Sequence, residues 1–124
     1  MSIEVDGLDH GMQPFPMASR RGPLLCTSAV HGRDPDSGEL LEDPSGQVRQ
    51  VFANLERVLA AGGGTLADVV LVQISVANGD VRPLVNEIWV QLFPDADSRP
   101  ARNTQVRTLN GGQICTVMAT AYVF

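Results

Sequence analysis

Residues 115–123 alternate without a break. Cys115, Val117, Ala119, Ala121 and Val123 fall on one side of an extended chain; Thr116, Met118, Thr120 and Tyr122 fall on the other, with Ile114 leading in. Successive side chains of a strand point to opposite faces, so this segment belongs to a sheet with one aliphatic face and one mixed face. Residues 68–77 repeat the arrangement. There Val70, Val72, Ile74 and Val76 share a face, and Leu71, Gln73 and Ser75 share the other. An aliphatic sheet face has to be covered by another layer.

Two amphipathic segments supply that layer. Val48, Val51, Phe52, Leu55, Val58 and Leu59 recur at three- and four-residue spacing, which predicts a helix. Pro44 and Ser45 suit its start and Gly62-Gly63-Gly64 its end. No Gly-Lys-Ser/Thr follows those glycines, so they read as a helix stop and not as a phosphate loop. A second helix carries Leu84, Val85, Ile88, Leu92 and Phe93 on one side, with Pro83 in its first turn, where proline is tolerated. Residues 23–30 read as a further strand, before a turn-rich stretch at 32–38. Strands at about 102–109 and 113–124 are joined by Asn110-Gly111-Gly112, a hairpin signal. The order is strands, helix, strand, helix, hairpin: an α+β chain with two helices on one face of a mixed sheet. No further segment remains to cover the mixed faces, and a half-apolar open face predicts contact with another subunit.

At 124 residues the length fits a single domain, 1–124. Net charge is −5 and the pI about 4.8. A phosphate backbone is repelled by that field, which argues against nucleic acid as a partner. The apolar runs are too short to span a bilayer, and residues 1–11 lack the layout of a secretion signal. The expected location is the cytoplasm. Cys26 and Cys115 sit in apolar runs and read as buried, reduced thiols, Cys115 beneath the helices; a disulfide between them stays open. Two distant cysteines make no metal site, and no metal or bound cofactor is expected.

Several stretches carry a likeness to a known family. Thr27 to Glu39 (TSAVHGRDPDSGE), Gln47 to Gly63 with Gln47, Asn54 and Leu55, Asn86 in the second helix, and Arg99-Pro100-Ala101-Arg102-Asn103-Thr104 together resemble the RidA/YjgF family. The last stretch is similar to its "P-A-R-S/H" signature. Gln13 to Ser19 and Phe93 to Thr104 are similar to the branch with "NPIP-x-A-S" and "FPD-x-x-SRPARHT". The resemblance covers nearly the whole chain in order. It implies a chorismate-mutase-like fold, with three subunits packing their sheets into a central barrel, helices outside. It also implies clefts between subunits that hold a small carboxylate. In active members these clefts hydrolyse 2-enamines and 2-imines to a keto acid and ammonia.

The likeness assigns roles residue by residue. Arg102 matches the arginine that grips the substrate carboxylate, and a guanidinium fork suits two carboxylate oxygens. Thr104 falls where the family's backbone carbonyl helps to hold a water. Ser28 and Ala29 match a Ser-Gly pair lining the pocket. Phe15 falls where active members carry tyrosine, and it can wall a pocket without donating a hydrogen bond. Asn86 occupies a family asparagine position. His31 is a candidate proton shuttle; His10 carries no role beyond its type. Met118 falls where active members have a glutamate, and no Asp or Glu follows Asp97, so no slip of alignment within the last strand restores an acid. Methionine neither transfers protons nor polarises water.

The reading is therefore a hydrolytic deaminase of small enamine or imine acids, with a 2-aminomuconate-type activity as a close variant. The rival reading is the same trimer binding a keto acid without turning it over, which Met118 favours. Ribonuclease activity, an older association of the family, is disfavoured by the acidic charge and the single Trp and Tyr.

Overall fold

A computed structural model describes residues 1–124. The elements run β1 (Ser2–Ile3), β2 (Ala18–Arg21), β3 (Leu24–Thr27), α1 (Pro44–Ala61), β4 (Val69–Val76), α2 (Arg82–Leu92), β5 (Ala101–Val106) and β6 (Cys115–Tyr122). They form one six-stranded sheet in the order β1-β2-β3-β6-β4-β5. The β4–β5 pair is parallel and every other pair is antiparallel. This is the mixed α+β architecture expected, with both helices against one side of the sheet. No helix is long and apolar enough to cross a membrane.

α1 starts where its chemistry says it should. The Asp43 carboxylate caps it by accepting from the Gly46 N–H at 3.2 Å, with Pro44 in the first turn. It ends in the three glycines, whose N–H groups take the last carbonyls, as with Gly64 N–H on Leu59 O at 2.8 Å. Its apolar stripe, Val48 to Leu59, meets Val72, Ile74 and Val76 of β4 and Val117 and Ala121 of β6 in one buried cluster.

Three expectations are corrected. The first is the hairpin: β5 and β6 are not neighbours, because β4 lies between them. β5 returns parallel to β4 through α2, and β6 takes the other edge of β4, which places the aliphatic strand β4 inside the sheet. The link must then cross two strand spacings, roughly 10 Å. It passes over the end of β4, where Arg107 N–H donates to Val76 O and Ala77 N–H to Ile114 O, both at 2.9 Å. Gly111 and Gly112 turn it with φ of 68° and 78°, a region that favours glycine.

The second correction is Val70. The register of β4 on β6 shifts between Val69 and Leu71, so Val69 takes the buried position and Val70 is left 52% exposed. A bulge of this kind turns one residue to the other face; beyond it Val72, Ile74 and Val76 follow the expected parity. The third is Cys26. It pairs with Thr120 on the face away from the helices and is exposed. Cys115 is buried on the helix side, and both thiols are free. β1 and β2 were not foreseen from the sequence.

Candidate functional site

Arg102 lies on β5, an edge strand entered through Pro100. In the parallel register it stands beside Val72, and Thr104 beside Ile74, so both face the helix side. The Arg102 Nε–H donates to Thr104 Oγ1 at 2.7 Å, and the guanidinium carbon sits 5.2 Å from the ring centre of Trp89 on α2. One donor and one face of the fork are thus held, and its terminal nitrogens make no bond within the chain. Arg82, at the start of α2, reaches the same place and donates from Nη2 to Thr104 O at 3.3 Å. Burial lowers the pKa of Arg102 first, and Arg82 lowers it further, while Cys115 opposes them. No carboxylate of this chain figures among its partners. A half-buried guanidinium with free donors and no anionic neighbour is able to donate to an anion.

The opposite face carries a second group. Ala29, Gln73, Ser75, Asn103, Thr116 and Met118 help to line a cavity of about 80 Å³. Gln73 pairs with Met118 on one side and Asn103 on the other. Val72 and Gln73 are consecutive, so Arg102 and Met118 lie on opposite faces of the sheet. Within one chain the structure therefore joins Ala29 with Met118, and Arg102 with Thr104, but does not bring the two pairs together.

The remaining candidates scatter. Both donors of Ser28 are engaged: its hydroxyl donates to Pro16 O and its N–H to Met17 O, each at 2.7 Å. Phe15 is 43% exposed and packs against His10 in a tilted pair with ring centres 4.6 Å apart. His10 in turn donates from Nε2 to the Ala29 carbonyl at 2.8 Å, which gives it a local role that the sequence did not suggest. Asn86 is on an exposed position of α2. His31 is half-buried, and its Nδ1 accepts the Arg33 N–H at 3.1 Å. Burial lowers its pKa, as do Arg33 and His10, with Asp9 opposing.

Three residues near these groups went unassigned in the sequence. Trp89 supports Arg102 and Arg82 flanks it. Asn54 is fully buried and donates from Nδ2 to the carbonyls of both His31 (2.8 Å) and Arg33 (2.9 Å). The signal for Asn54 was present: an amide set into the apolar stripe between Phe52 and Leu55.

Comparison with known proteins agrees with this fold. The family model described as Endoribonuclease L-PSP matches residues 10–123. A RutC family protein of Pyrococcus horikoshii is 30% identical over 111 residues, covering 88% of this chain and 86% of that protein. The RidA structure from a Psychrobacter species superposes with a TM-score of 0.89 at 28% identity, covering 99% of each chain. The Rid-family protein YyfA of Yersinia pestis gives 0.90 at 29% identity, over 99% of this chain and 98% of that one. With the fold, the order of motifs and the whole-length matches in agreement, the chain belongs to the RidA/YjgF family.

Proposed function

We propose that the chain is a hydrolytic deaminase of small carboxylic acids bearing a 2-imine or 2-enamine, working at clefts between the subunits of a homotrimer. A 2-aminomuconate-like acid is a close variant of that substrate. The observation that supports this most is the division of the site. Arg102 and Thr104 stand on the helix side of β5, while Ala29 and Met118 stand on the open face. A ligand touching both pairs has to sit between two copies of the chain. The open face suits such a contact, since Leu24, Met118 and Tyr122 are exposed on it.

In this reading Arg102 fixes the carboxylate and turns C2 toward the cleft. Water adds to C2 of the imine and the nitrogen takes up the proton. The C–N bond then breaks to give ammonia and the 2-oxo acid. The Thr104 carbonyl, which already accepts from Arg82, offers its second lone pair to the water. The free thiols fit a reducing, cytoplasmic setting. Net charge −5 weighs against RNA as the substrate.

Met118 favours a second reading, a carboxylate-binding protein without turnover, because β6 supplies no acid to activate water. Ammonia release from freshly generated 2-iminopropionate separates the two. Turnover in the parent that is lost in Arg102→Ala supports the enzyme. Binding of 2-oxobutyrate without ammonia release, with release gained in Met118→Glu, supports the binding protein. If neither substitution alters binding or turnover in folded protein, the site lies elsewhere.

A further inference from the structure

We propose that His31 is a ligand-contacting hydrogen-bond donor, presenting Nε2–H to the 2-oxo or 2-imino group of the bound acid. It supplies a polar group on the open face, where Met118 offers none. This rests on the reading that the cleft takes a 2-oxo or 2-imino acid.

Placement comes from the register. Val30 and Val117 form an antiparallel bridge, with N–H to O distances of 2.7 and 3.1 Å in the two directions. Continued one residue either way, that register sets Ala29 opposite Met118 and His31 opposite Thr116. Ala29, Thr116 and Met118 all line the open-face cavity, and the extended register sets His31 beside Thr116, on the same side of the strand as Ala29.

The protonation pattern comes from a backbone contact. Nδ1 accepts the Arg33 N–H, so Nδ1 keeps its lone pair and the proton of the neutral ring is on Nε2. Burial and the neighbouring Arg33 and His10 favour the neutral ring. Held in this tautomer, His31 donates from Nε2 and has no free lone pair to act as a base. That revises the proton-shuttle role the sequence suggested.

Rigidity comes from the backbone beneath it. The carbonyls on either side of Gly32 are both taken by the buried Asn54 amide, whose Oδ1 accepts from Gln50 at 2.9 Å. Gly32 itself packs so closely on α1 that a Cβ there would lie 2.8 Å from Gln47 O. A fixed backbone and a fixed tautomer make a preorganised donor, which is what discrimination of a ligand oxygen requires.

The test uses two probes, 2-oxobutyrate and butyrate, which differ only in the group His31 is assigned to touch. His31→Asn keeps the local turn, because an Asn side chain accepts the N–H two residues on, but its amide falls short of the Nε2 position. The expected result is a loss of the preference for 2-oxobutyrate over butyrate by about tenfold, with butyrate affinity unchanged. His31→Leu reports the same loss without the turn contact, and circular dichroism confirms that both variants are folded. Nitrogen-15 spectra of the parent should show the Nε2–H tautomer, with the Nε2 signal shifting on 2-oxobutyrate but not on butyrate. An unchanged preference ratio in His31→Asn, or a proton found on Nδ1, overturns the proposal. Arg102→Ala serves as the control, since it should weaken both probes equally. If Arg102→Ala weakens both while His31→Asn leaves the ratio unchanged, only the His31 role fails. If Arg102→Ala weakens neither, the carboxylate site itself fails.

Discussion

The two faces of the sheet are made by alternate residues of the same strands, yet they are finished to different degrees. On the helix side, Val72, Val76, Val117 and Ala121 are at most 1% exposed. On the other side, Leu24 and Tyr122, which are paired across β3 and β6, are 49% and 46% exposed. The first face is complete within one chain. The second mixes apolar groups with amides and hydroxyls and has no layer over it. Along β3, β4 and β6, parity decides whether a residue lies under the helices or on the open face; on the edge strand β5, Arg102 and Thr104 face the helix side and are still only partly buried.

The sharpest way to break that comparison is to substitute neighbours on β4. Ile74→Ala opens a cavity in the core and should cost about 2–5 kcal/mol in urea unfolding. Gln73→Ala, at concentrations low enough to dissociate any assembly, should stay within about 0.5 kcal/mol of the parent. Equal costs would mean that the open face stabilises the single chain as much as the covered one does. Arg102→Ala comes next. Losing a two-pronged, charge-assisted contact should weaken 2-oxobutyrate binding by about 2–4 kcal/mol, read by calorimetry, with the unfolding midpoint unmoved.

Assembly tests the open face directly. Sedimentation at micromolar concentration should give about three times the 13.3 kDa chain mass. Tyr122→Asp, which sets a charge on that face, should weaken association by roughly tenfold, ~1.4 kcal/mol. A parent that sediments as a monomer would leave the open face with no occupant.

A last test separates the two thiols. Burial pushes the Cys115 thiol up to about 12, with Arg102 opposing, from an ordinary 9.0. Above pH 9 the unfolded chain releases this proton while the folded chain keeps it. Stability from this group is therefore full below pH 9 and falls as pH rises toward 12. Cys115→Ala should flatten that slope in alkaline urea titrations. In dissociated protein, Cys26 should react with a bulky thiol reagent while Cys115 does not.

Elements with strong periodicity were legible in the sequence. The α1 stripe, the β6 alternation and the helix stop at Gly62 all appear as read, because each is a local pattern fixed by one face meeting the core. The hairpin was misread because a glycine turn reports that the chain reverses, and not which strand it returns to. Val70 was misread because a bulge leaves no mark in a run of valines. Cys26 was misread because an apolar run does not say which of its residues face the core and which the open side. Of the site, the Arg102 motif could be read as local sequence. The support from Trp89 depends on how α2 packs on the sheet, and the placement of Arg102 and Met118 on opposite faces depends on pairing across it. The His31 ring finds its partner locally, at the Arg33 N–H, but the Asn54 clamp that fixes this loop connects segments more than twenty residues apart.

The position of β6 has a consequence for how the molecule comes into being. β6 follows the other five strands in the chain, but it occupies the middle of the sheet, between β3 and β4. Until it is synthesised, β1–β3 and β4–β5 share no ladder, and both present unpaired edges with aliphatic faces beside them. Partial chains on the ribosome are therefore held as two open fragments, exposed to the mispairing that unprotected edges invite. Closure has to be a late, long-range event, limited by the search for both edges at once, and slow relative to helix formation.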